Sequence, residues 1–410
     1  MANTINVNSE IGKLKTVVLK RPGREIENLT PEFLKELLFD DIPYLPLMQK
    51  EHDEFARILT DNGAEVLYLE NLMTEALNES DELKEEFITS FLQESNFLYG
   101  YTLEKVKEYL FSYSTDKIVE RIMGGIRTDE VNIPKEKSLL ALTLHYPFYV
   151  SPMPNLYFTR DPAASVANGV SISKMKEPAR RKESLFMKFI LKNHPRFSGT
   201  EIPIWLDRSY KYSIEGGDML VLGKGVLAIG ISERTTAAAI EHIAKNLFVN
   251  QNSITKIMAI NIPKSRAFMH LDTVFTMVDH DKFSIHPKIL NKNGEIDIYL
   301  LEKGDGDDTL AINHYQNIGD ALKFALNLDD IEFIPCGGGD IIAAPREQWS
   351  DGTNTLAIAP GVVVTYDRND VTNSIMRKRA LQVIEVPSAE MSRGRGGPRC
   401  MSMPLFREDI

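Results

Sequence analysis

The chain has 410 residues, of which 43% are hydrophobic and 26% charged, and its formal net charge is −11 at pH 7. That length predicts a large multi-unit domain, and the negative charge argues against a nucleic-acid binder, which needs a basic face. Because there are only two cysteines, no apolar signal segment and no apolar run of about 18 residues, we expect a cytoplasmic protein without a disulfide framework, a thiolate-rich metal site or a membrane span.

The first third of the sequence changes from strand patterns to helix patterns. Two strands and a helix are predicted there, at residues 12–22, 65–69 and 47–60. From about residue 72 to 141, apolar residues recur every three or four positions among many Glu and Lys, as in packed amphipathic helices. We therefore predict an all-helical insertion at residues 72–141. It interrupts an α/β domain formed by residues 1–71 and 142–410.

Three later stretches share one layout, in which an acid-bearing turn is followed by strands and a helix. They begin at residues 160–162, 215–218 and 337–340. A fourth unit begins near residue 269 and residues 12–70 supply another, so about five units line up. Such units cannot bury their faces alone, and ring closure would bring their first turns to one axis. The central site predicted in this way contains Asp161, Glu215, His270 and Cys400.

A thiol near the C-terminus lies in a segment rich in glycine and arginine, Arg393-Gly-Arg-Gly-Gly-Pro-Arg-Cys400. Neighbouring guanidinium groups favour thiolate over thiol, and the thiolate is the nucleophile. Cys400 is therefore a candidate for covalent catalysis. The alternative is an inert buried cysteine beside a basic segment, which is how we interpret the second thiol, Cys336.

The segment MHLDT, residues 269–273, contains the candidate acid/base pair. In an extended segment His270 and Asp272 project to the same face, because side chains alternate. One imidazole and one carboxylate in one pocket suit acid/base chemistry and cation binding. Two alternatives remain open. One is a core histidine paired with a local Asp, and the other is an iron site in which His286 or His314 completes a facial triad.

Two acidic turns supply the remaining carboxylates. Gly216-Gly217 allows a tight turn that tips Glu215 inward, although acid next to glycine is also ordinary turn chemistry. Asp161 lies at the tip of a turn after an apolar run, where helix or turn capping is the alternative. A guanidinium matches paired carboxylates in forked hydrogen bonds. We therefore predict a cationic, planar substrate group held between Asp161 and Asp272, with its central carbon open to a thiol.

Four motifs, MPNLYFTRDP, SIEGGD, MHLDT and RGRGGPRCMSMP, occur in this order along the chain. With these spacings the sequence resembles bacterial arginine deiminases, and the segments SEIGKLKTVVLKRPGREI, ARRKESLF and FREDI extend the resemblance over essentially the whole chain. That family belongs to the guanidino-modifying superfamily. The resemblance implies an α/β fold, a five-unit α/β propeller (pentein) with an inserted all-helical domain. It also implies a homodimer or higher homo-oligomer.

The resemblance further implies hydrolysis of L-arginine to L-citrulline and ammonia in arginine catabolism, without a metal or cofactor. Cys400 would attack the guanidinium carbon and form a covalent amidino-thioether, while His270 transfers protons. Asp161 and Asp272 would hold the guanidinium nitrogens, and Glu215 would support His270. The substrate-binding residues that the resemblance implies are Arg180 and Arg234 for the carboxylate, with Arg181 as an alternative to Arg180, and Asn155, Phe158, Gly394 and Arg395 for lining or gating the pocket.

Three other activities are alternatives at this point. A related enzyme of the same superfamily acts on agmatine, a methylated arginine or an amidine acceptor. An iron oxygenase would use His270 and Asp272 as metal ligands. A catalytically inactive arginine-binding protein would keep the pocket without the chemistry.

Overall fold

The computed structural model describes residues 4–95, 100–134, 139, 142, 146–199, 201–250, 252–306 and 309–410. The strands are β1 (Leu14–Leu19), β2 (Glu65–Tyr68), β3 (Ile126–Arg127), β4 (Phe148–Val150), β5 (Ala163–Val166), β6 (Gly169–Ile172), β7 (Ile204–Leu206), β8 (Met219–Gly223), β9 (Val226–Ile231), β10 (Lys256–Asn261), β11 (Phe275–Met277), β12 (Lys282–Ile285), β13 (Ile298–Lys303), β14 (Leu310–Tyr315), β15 (Glu332–Pro335), β16 (Leu356–Ala359), β17 (Val362–Tyr366), β18 (Gln382–Val386) and β19 (Met403–Arg407). The α-helices are α1 (Arg24–Glu27), α2 (Leu45–Asp61), α3 (Leu69–Leu77), α4 (Asp81–Gln93), α5 (Gly100–Phe111), α6 (Thr115–Gly124), α7 (Glu183–Asn193), α8 (Ala237–Val249), α9 (Ile318–Leu326), α10 (Ala343–Trp349) and α11 (Asp370–Lys378).

Five sheets share one core of three strands, in which an antiparallel pair is followed by a parallel third strand. They are β19-β1-β2, β5-β6-β7, β8-β9-β10, β11-β12-β15 and β16-β17-β18. In each sheet a helix connects the two parallel strands, as a parallel pair requires, and these helices are α2, α7, α8, α9 and α11. The predicted α/β class is therefore confirmed. The first sheet joins the two ends of the chain, because β19 pairs with β1.

Helix α8 illustrates why these segments fold as they do. The Thr236 hydroxyl caps its N-terminus by accepting a hydrogen bond from Ala239 N at 3.4 Å. Its first turn consists of alanines, which have the highest helix propensity. Further along, the buried apolar side chains follow the spacing of one helical face: Ile240, Ile243, Ala244 and Leu247. That face joins a core cluster with side chains of β9 and β10.

The fourth repeated unit contains an additional hairpin that the sequence pattern did not predict. Between β12 and β15 the chain forms the antiparallel hairpin β13–β14, and β13 pairs with β10 of the neighbouring sheet. The apolar side chains Ile298, Leu300 and Leu301 of β13 are buried there. The hairpin covers an edge of that sheet, and an uncovered strand edge would be open to pairing with another chain.

The last unit begins later than its glycine-rich turn predicted. Asp340 is exposed, and its carboxylate accepts hydrogen bonds from the backbone of Ile342 and Ala343 at the start of α10. The first strand of the unit, β16, follows Asn354 instead. Three successive glycines with positive φ, at residues 337–339, end a strand here rather than preceding a hairpin.

Helices α3 to α6 occupy most of the predicted helical insertion, but the short strand β3 also lies within it and pairs with β4, so the segment is not all-helical. Phe87 and Phe91 of α4 pack against Phe186 of α7, with ring centroids 5.5 and 6.0 Å apart. The insertion therefore shares a core cluster with the second repeated unit. Residues 96–99, 135–138, 140 and 141 of the prediction lie outside the described residues. Within the residues that the structure describes, no helix is both long and apolar enough to cross a membrane.

Candidate active site

Each of the five repeated sheets is preceded by a polar or thiol side chain a few residues before its first strand. These side chains are Asp161, Glu215, Asp272, Asn354 and Cys400, which precede β5, β8, β11, β16 and β19. The structure places them in two groups of contacts, and members of both groups line one cavity. The Cys400 sulfur lies 3.5 Å from Asp272 Oδ2 and 3.1 Å from Asn354 Nδ2. His270 lies 2.7 Å from Glu215 and 3.7 Å from Asp161.

A cavity of about 160 Å³ opens beside these side chains. Of the eleven residues predicted for the site, nine line it: Asn155, Phe158, Asp161, Arg180, Arg234, His270, Gly394, Arg395 and Cys400. The other two, Glu215 and Asp272, are fully buried and contact lining residues from behind. The alternative carboxylate ligand, Arg181, is exposed and does not line the cavity.

The Cys400 thiol is surrounded by carboxylates. Burial, followed by the nearby charges of Asp272, Asp161 and Asp351, raises its pKa well above the usual value, and the charge of Arg399 opposes this increase. The flanking Arg399 therefore favours the thiolate, as expected, but burial and the carboxylates outweigh its effect on the pKa. The Arg399 guanidinium donates at 2.8 Å to Oδ2 of Asp272, the same oxygen that lies 3.5 Å from the Cys400 sulfur.

His270 and Glu215 form a buried ion pair. Burial lowers the pKa of His270, but the charge of Asp161 and the hydrogen bond to Glu215 outweigh it and raise the pKa to about 9. Burial raises the pKa of Glu215, but the hydrogen bond to His270 and the charge of Arg234 lower it to about 2. At neutral pH the imidazolium therefore holds a proton on each ring nitrogen, so it can act as a proton donor.

Asp161 and Asp272 each use one carboxylate oxygen in a hydrogen bond within the protein and leave the other without one, although Oδ1 of Asp161 lies 3.7 Å from His270 Nδ1. Oδ2 of Asp161 accepts from Arg180 at 2.6 Å, and Oδ2 of Asp272 accepts from Arg399 at 2.8 Å. The Oδ1 atoms of both are buried and have no hydrogen-bond partner among the described residues. Buried acceptors are nearly always satisfied, so these two indicate positions that receive donors from a ligand.

The local backbone at Asp272 differs from the extended segment that was predicted. Residues Leu271–Thr273 form a 3-10 helix that begins after His270. The carboxylate of Asp218 holds this segment, accepting from Leu271 N at 2.8 Å and from the Ser232 hydroxyl at 2.7 Å. The tight turn, rather than strand alternation, therefore places His270 and Asp272 at the site.

The two arginines predicted to bind a carboxylate differ in how many donors they have free. Arg180 donates to Asp161 at 2.6 Å, to Glu183 at 2.8 Å and to the Asn155 carbonyl at 3.3 Å. Arg234 has two buried donors, Nε and Nη1, without hydrogen-bond partners in the described parts of the chain, although Nη1 lies 3.6 Å from Glu215 Oε2 as an ion pair. Its guanidinium is thus the better placed of the two to receive an anionic ligand group.

Part of the cavity wall is formed by Gly394 and Arg395, the predicted gating segment. A side chain at Gly394 would come within 1.8 Å of the Tyr157 hydroxyl, so only glycine fits there. Arg395 has a left-handed φ of 64°. Its guanidinium lies over the Trp349 ring, 3.5 Å from the ring centroid, and 3.7 Å from Asp40.

Several residues of the site were not predicted from the sequence, and Asn354 is the clearest of them. Its Oδ1 accepts from Cys400 N at 3.0 Å, and its Nδ2 donates to the Cys400 sulfur. The position of Asn354, two residues before the first strand of its unit, is the same as that of Asp161 before β5. Aligning the repeats on their strands, rather than on acidic turns, would have found it. The other missed residues are Asp40, Glu183, Asp351 and Arg399.

The proposed third ligand of an iron site is not assembled. The His286 ring packs on Phe268, and His314 pairs with Asp297 at 2.9 Å on the exposed strand β14. Among the described residues, no group of three or more His, Cys, Asp and Glu side chains is placed to hold a metal ion.

Gly217 allows the close approach of His270 and Asp161. A Cβ atom at this position would lie 2.7 Å from His270 Nδ1 and 2.8 Å from Asp161 Oδ1. We expect Gly217→Ala to lower kcat/KM about 100-fold, because a displacement of about 1 Å at a reacting group has that effect. Steady-state kinetics with a thermal melt would check this. Near-normal kcat/KM in the folded variant would contradict the close packing described.

A family model described as arginine deiminase matches residues 35–407. An arginine deiminase from Bacillus cereus is 59% identical over 411 residues, and one from Latilactobacillus sakei subsp. sakei is 56% identical over 412, each match covering 100% of both chains. Among solved structures, an amidinotransferase from Microseira wollei in the saxitoxin biosynthetic pathway aligns with a TM-score of 0.57 at 12% identity, covering 99% of this chain and 98% of that one. A dimethylarginine dimethylaminohydrolase aligns with a TM-score of 0.51 at 14% identity, covering 95% and 99%. The two structural likenesses concern the fold alone, but the family match and the identities over the full length are decisive: this chain belongs to the arginine deiminase family.

Proposed function

We propose that this chain hydrolyses L-arginine to L-citrulline and ammonia, the reaction named for its family and relatives. One observation carries the substrate assignment. Two buried carboxylate oxygens, on Asp161 and Asp272, and two buried donors on Arg234 all lack hydrogen-bond partners among the described residues. These groups are complementary to a ligand with a cationic fork at one end and a carboxylate at the other. L-Arginine has this charge distribution.

In the first half of the reaction, the Cys400 sulfur attacks the guanidinium carbon. Asp161 and Asp272 hold the guanidinium nitrogens and concentrate positive charge near that carbon. As the carbon–nitrogen bond breaks, His270 gives its proton to the departing nitrogen, which leaves as ammonia. The product of this step is an amidino-thioether on Cys400.

In the second half, water attacks the same carbon. His270, now neutral, takes a proton from the water, and the carbon–sulfur bond breaks with its electron pair returning to sulfur. As the ureido group of citrulline forms, the second proton of the water passes to the Cys400 sulfur and restores the thiol. The proton that the thiol released before its attack protonates the ammonia, so the sum is the arginine cation plus water giving citrulline plus ammonium. Glu215 holds the imidazole at 2.7 Å and stabilises its charged form.

The raised pKa of Cys400 in the free enzyme is consistent with this cycle. Burial and the charges of Asp272 and Asp161 disfavour the thiolate while the carboxylates are uncompensated. A guanidinium bound between these two carboxylates adds a positive charge next to the sulfur, which lowers the thiol pKa. The substrate therefore promotes ionisation of its own nucleophile, and the free thiol stays largely protonated.

We also infer that the five sheets form a five-unit α/β propeller, or pentein, and that residues 72–141 are a helical insertion in a catalytic domain formed by 1–71 and 142–410. The shared strand order and the pairing of β19 with β1 support the propeller. The contacts among residues that precede five different first strands support a common axis. Helices α3 to α6 support the insertion.

A cytoplasmic location and a homo-oligomeric state, a dimer or larger, are further parts of the proposal. Both cysteines are unpaired thiols, and catalysis through Cys400 needs a reducing compartment. Ile341, Ile342 and Trp349 are exposed apolar side chains that suit a contact with a second copy. Light scattering on the purified protein would measure the oligomeric state, and a monomeric mass would contradict that part.

The experiment that tests the function is direct. Purified protein treated with excess EDTA is incubated with L-arginine, and citrulline and ammonia are measured. We expect equimolar release of both, without added metal or cofactor. Absence of citrulline would overturn the proposal, and loss of activity on chelation would favour metal-dependent chemistry.

The role of Arg234 separates arginine from agmatine, which lacks the carboxylate. We expect Arg234→Met to lower kcat/KM for L-arginine by about 100-fold or more, since an ion pair to a buried carboxylate is lost. The low activity on agmatine should fall much less, because the lost charge beside Glu215 affects both substrates, whereas the lost contact to the substrate carboxylate affects L-arginine alone. The ratio of the two kcat/KM values is the measurement. An equal loss on both substrates would place Arg234 away from the carboxylate, and higher activity on agmatine in the unmodified protein would refute the substrate assignment.

A further inference from the structure

The turn between α10 and β16, residues 350–355, packs against Cys400 through Asn354. None of its residues was assigned a role from the sequence. Asn354 makes three hydrogen bonds there. Its Oδ1 accepts from Cys400 N at 3.0 Å, and its Nδ2 donates to the Cys400 sulfur and to the Asp272 carbonyl, both at 3.1 Å. Because Oδ1 is engaged with a backbone N–H and Nδ2 with a carbonyl, the amide has only one satisfactory orientation. The group facing the sulfur is therefore a donor.

A donor at 3.1 Å from sulfur favours the thiolate, since a hydrogen bond to the charged form stabilises it. Asn354 is fully buried, and so is Thr353, whose hydroxyl donates to the Thr273 carbonyl. The amide is thus held against the sulfur by packing from the Thr273 segment. Apart from Asn354, the sulfur's surroundings are dominated by carboxylates.

Asp351, three residues earlier in the same turn, acts in the opposite sense. It is 4% exposed, its φ is 58°, and its Oδ2 has no hydrogen-bond partner among the described residues. Its charge raises the pKa of the Cys400 thiol. Burial raises the pKa of Asp351 itself to about 7, Arg395 opposing and Asp272 adding to this effect. A left-handed backbone and an unpaired buried oxygen are costly features that packing alone does not require.

We propose that this turn sets the proton affinity of the Cys400 nucleophile, with Asn354 stabilising the thiolate and Asp351 opposing it. The inference rests on the proposed function, in which Cys400 attacks the substrate. Asn354 touches the reacting sulfur and is a catalytic residue, whereas Asp351 acts through its charge and is a positioning residue. The charged and titratable groups that face Cys400 or Asp351 are Asp161, Asp272, Arg395, Arg399, Tyr157 and Tyr366.

Asparagine and aspartate have nearly the same shape and differ in charge. The variants Asn354→Asp and Asp351→Asn are therefore a matched pair, in which one adds a negative charge near the sulfur and the other removes one. The readout is the rate of Cys400 alkylation by iodoacetamide between pH 6 and 10 in the absence of arginine. Mass spectrometry locates the alkyl group, and Cys400→Ala reports reaction at Cys336. We expect Asn354→Asp to slow alkylation at pH 8 about tenfold, which is about one pKa unit, and Asp351→Asn to accelerate it by a similar factor.

Opposite shifts of the two alkylation profiles would support the inference, because a general loss of packing would move both in the same direction. Shifts of the same sign, or no shift in either, would overturn it. Asn354→Ala, which removes the donor without adding charge, should also slow alkylation, and thermal melts identify any variant that does not fold. Citrulline release by the unmodified protein is measured in parallel. If it is absent, the proposed function fails, whereas the alkylation profiles report on the turn independently.

Discussion

Replacement of Cys400 by serine is expected to lower kcat for citrulline formation by about 1,000-fold or more. A hydroxyl is a much weaker acid than a thiol, and the carboxylates of Asp161 and Asp272 would oppose its ionisation even more strongly than that of the thiol. Serine keeps the shape of the site, so L-arginine should still bind. The measurement is single-turnover kinetics with mass spectrometry, which should detect an adduct of about +157 Da (arginine minus ammonia) on the unmodified enzyme only, because ammonia leaves and the rest of the substrate stays on sulfur.

The other thiol supplies the matched control. Cys336 is buried against Thr372 and the Ala344 carbonyl, and burial raises its pKa to about 12. Cys336→Ser should keep most of the activity and change mainly the melting temperature. If Cys400→Ser retained a tenth of the activity, or if Cys336→Ser removed it, covalent catalysis by Cys400 would have to be abandoned.

Replacement of Asp161 by asparagine is expected to raise KM and lower kcat together, with kcat/KM falling about 1,000-fold. The carboxylate is the partner of Arg180 at 2.6 Å and lies 3.7 Å from His270. Its loss removes one of two acceptors proposed for the guanidinium and the main opposing charge that raises the pKa of His270. The pH profile should therefore shift as well, because the alkaline limb, on which the His270 imidazolium loses its proton, moves to lower pH.

The control for this substitution is Asp340→Asn, the same chemical change in the turn that sequence alone treated as equivalent. Asp340 is exposed and accepts from two backbone N–H groups at the start of α10, a role that asparagine performs equally well. We expect unchanged kinetics there. A change in KM alone in Asp161→Asn would reduce Asp161 to a residue that binds ground and transition states equally.

The repeated fold was largely readable because its signals are local. Strands β17 and β18 and the helix between them form where the hydrophobic periodicity and the turn residues of the sequence predict them. Contacts with other units do not change these local structures. The β13–β14 hairpin could not be predicted from such local signals. Its pairing with β10 depends on an edge that exists only once the neighbouring sheet is formed, and no short-range pattern encodes that contact.

The sequence by itself determined the family, the class of fold and the eleven residues expected at the site, because motif order and residue type are properties of the chain alone. Only the tertiary structure decided the protonation states of those residues and which of their polar atoms lack hydrogen-bond partners among the described residues. Arg399 and Arg393, which are close to Cys400 in sequence, bind Asp272 and Asp41. The charges that raise the pKa of the thiol come from carboxylates that are distant in sequence. Asn354 likewise meets Cys400 across 46 residues. Proton affinity depends on burial and on distances of a few ångströms, and these are fixed by packing between units rather than by adjacency along the chain.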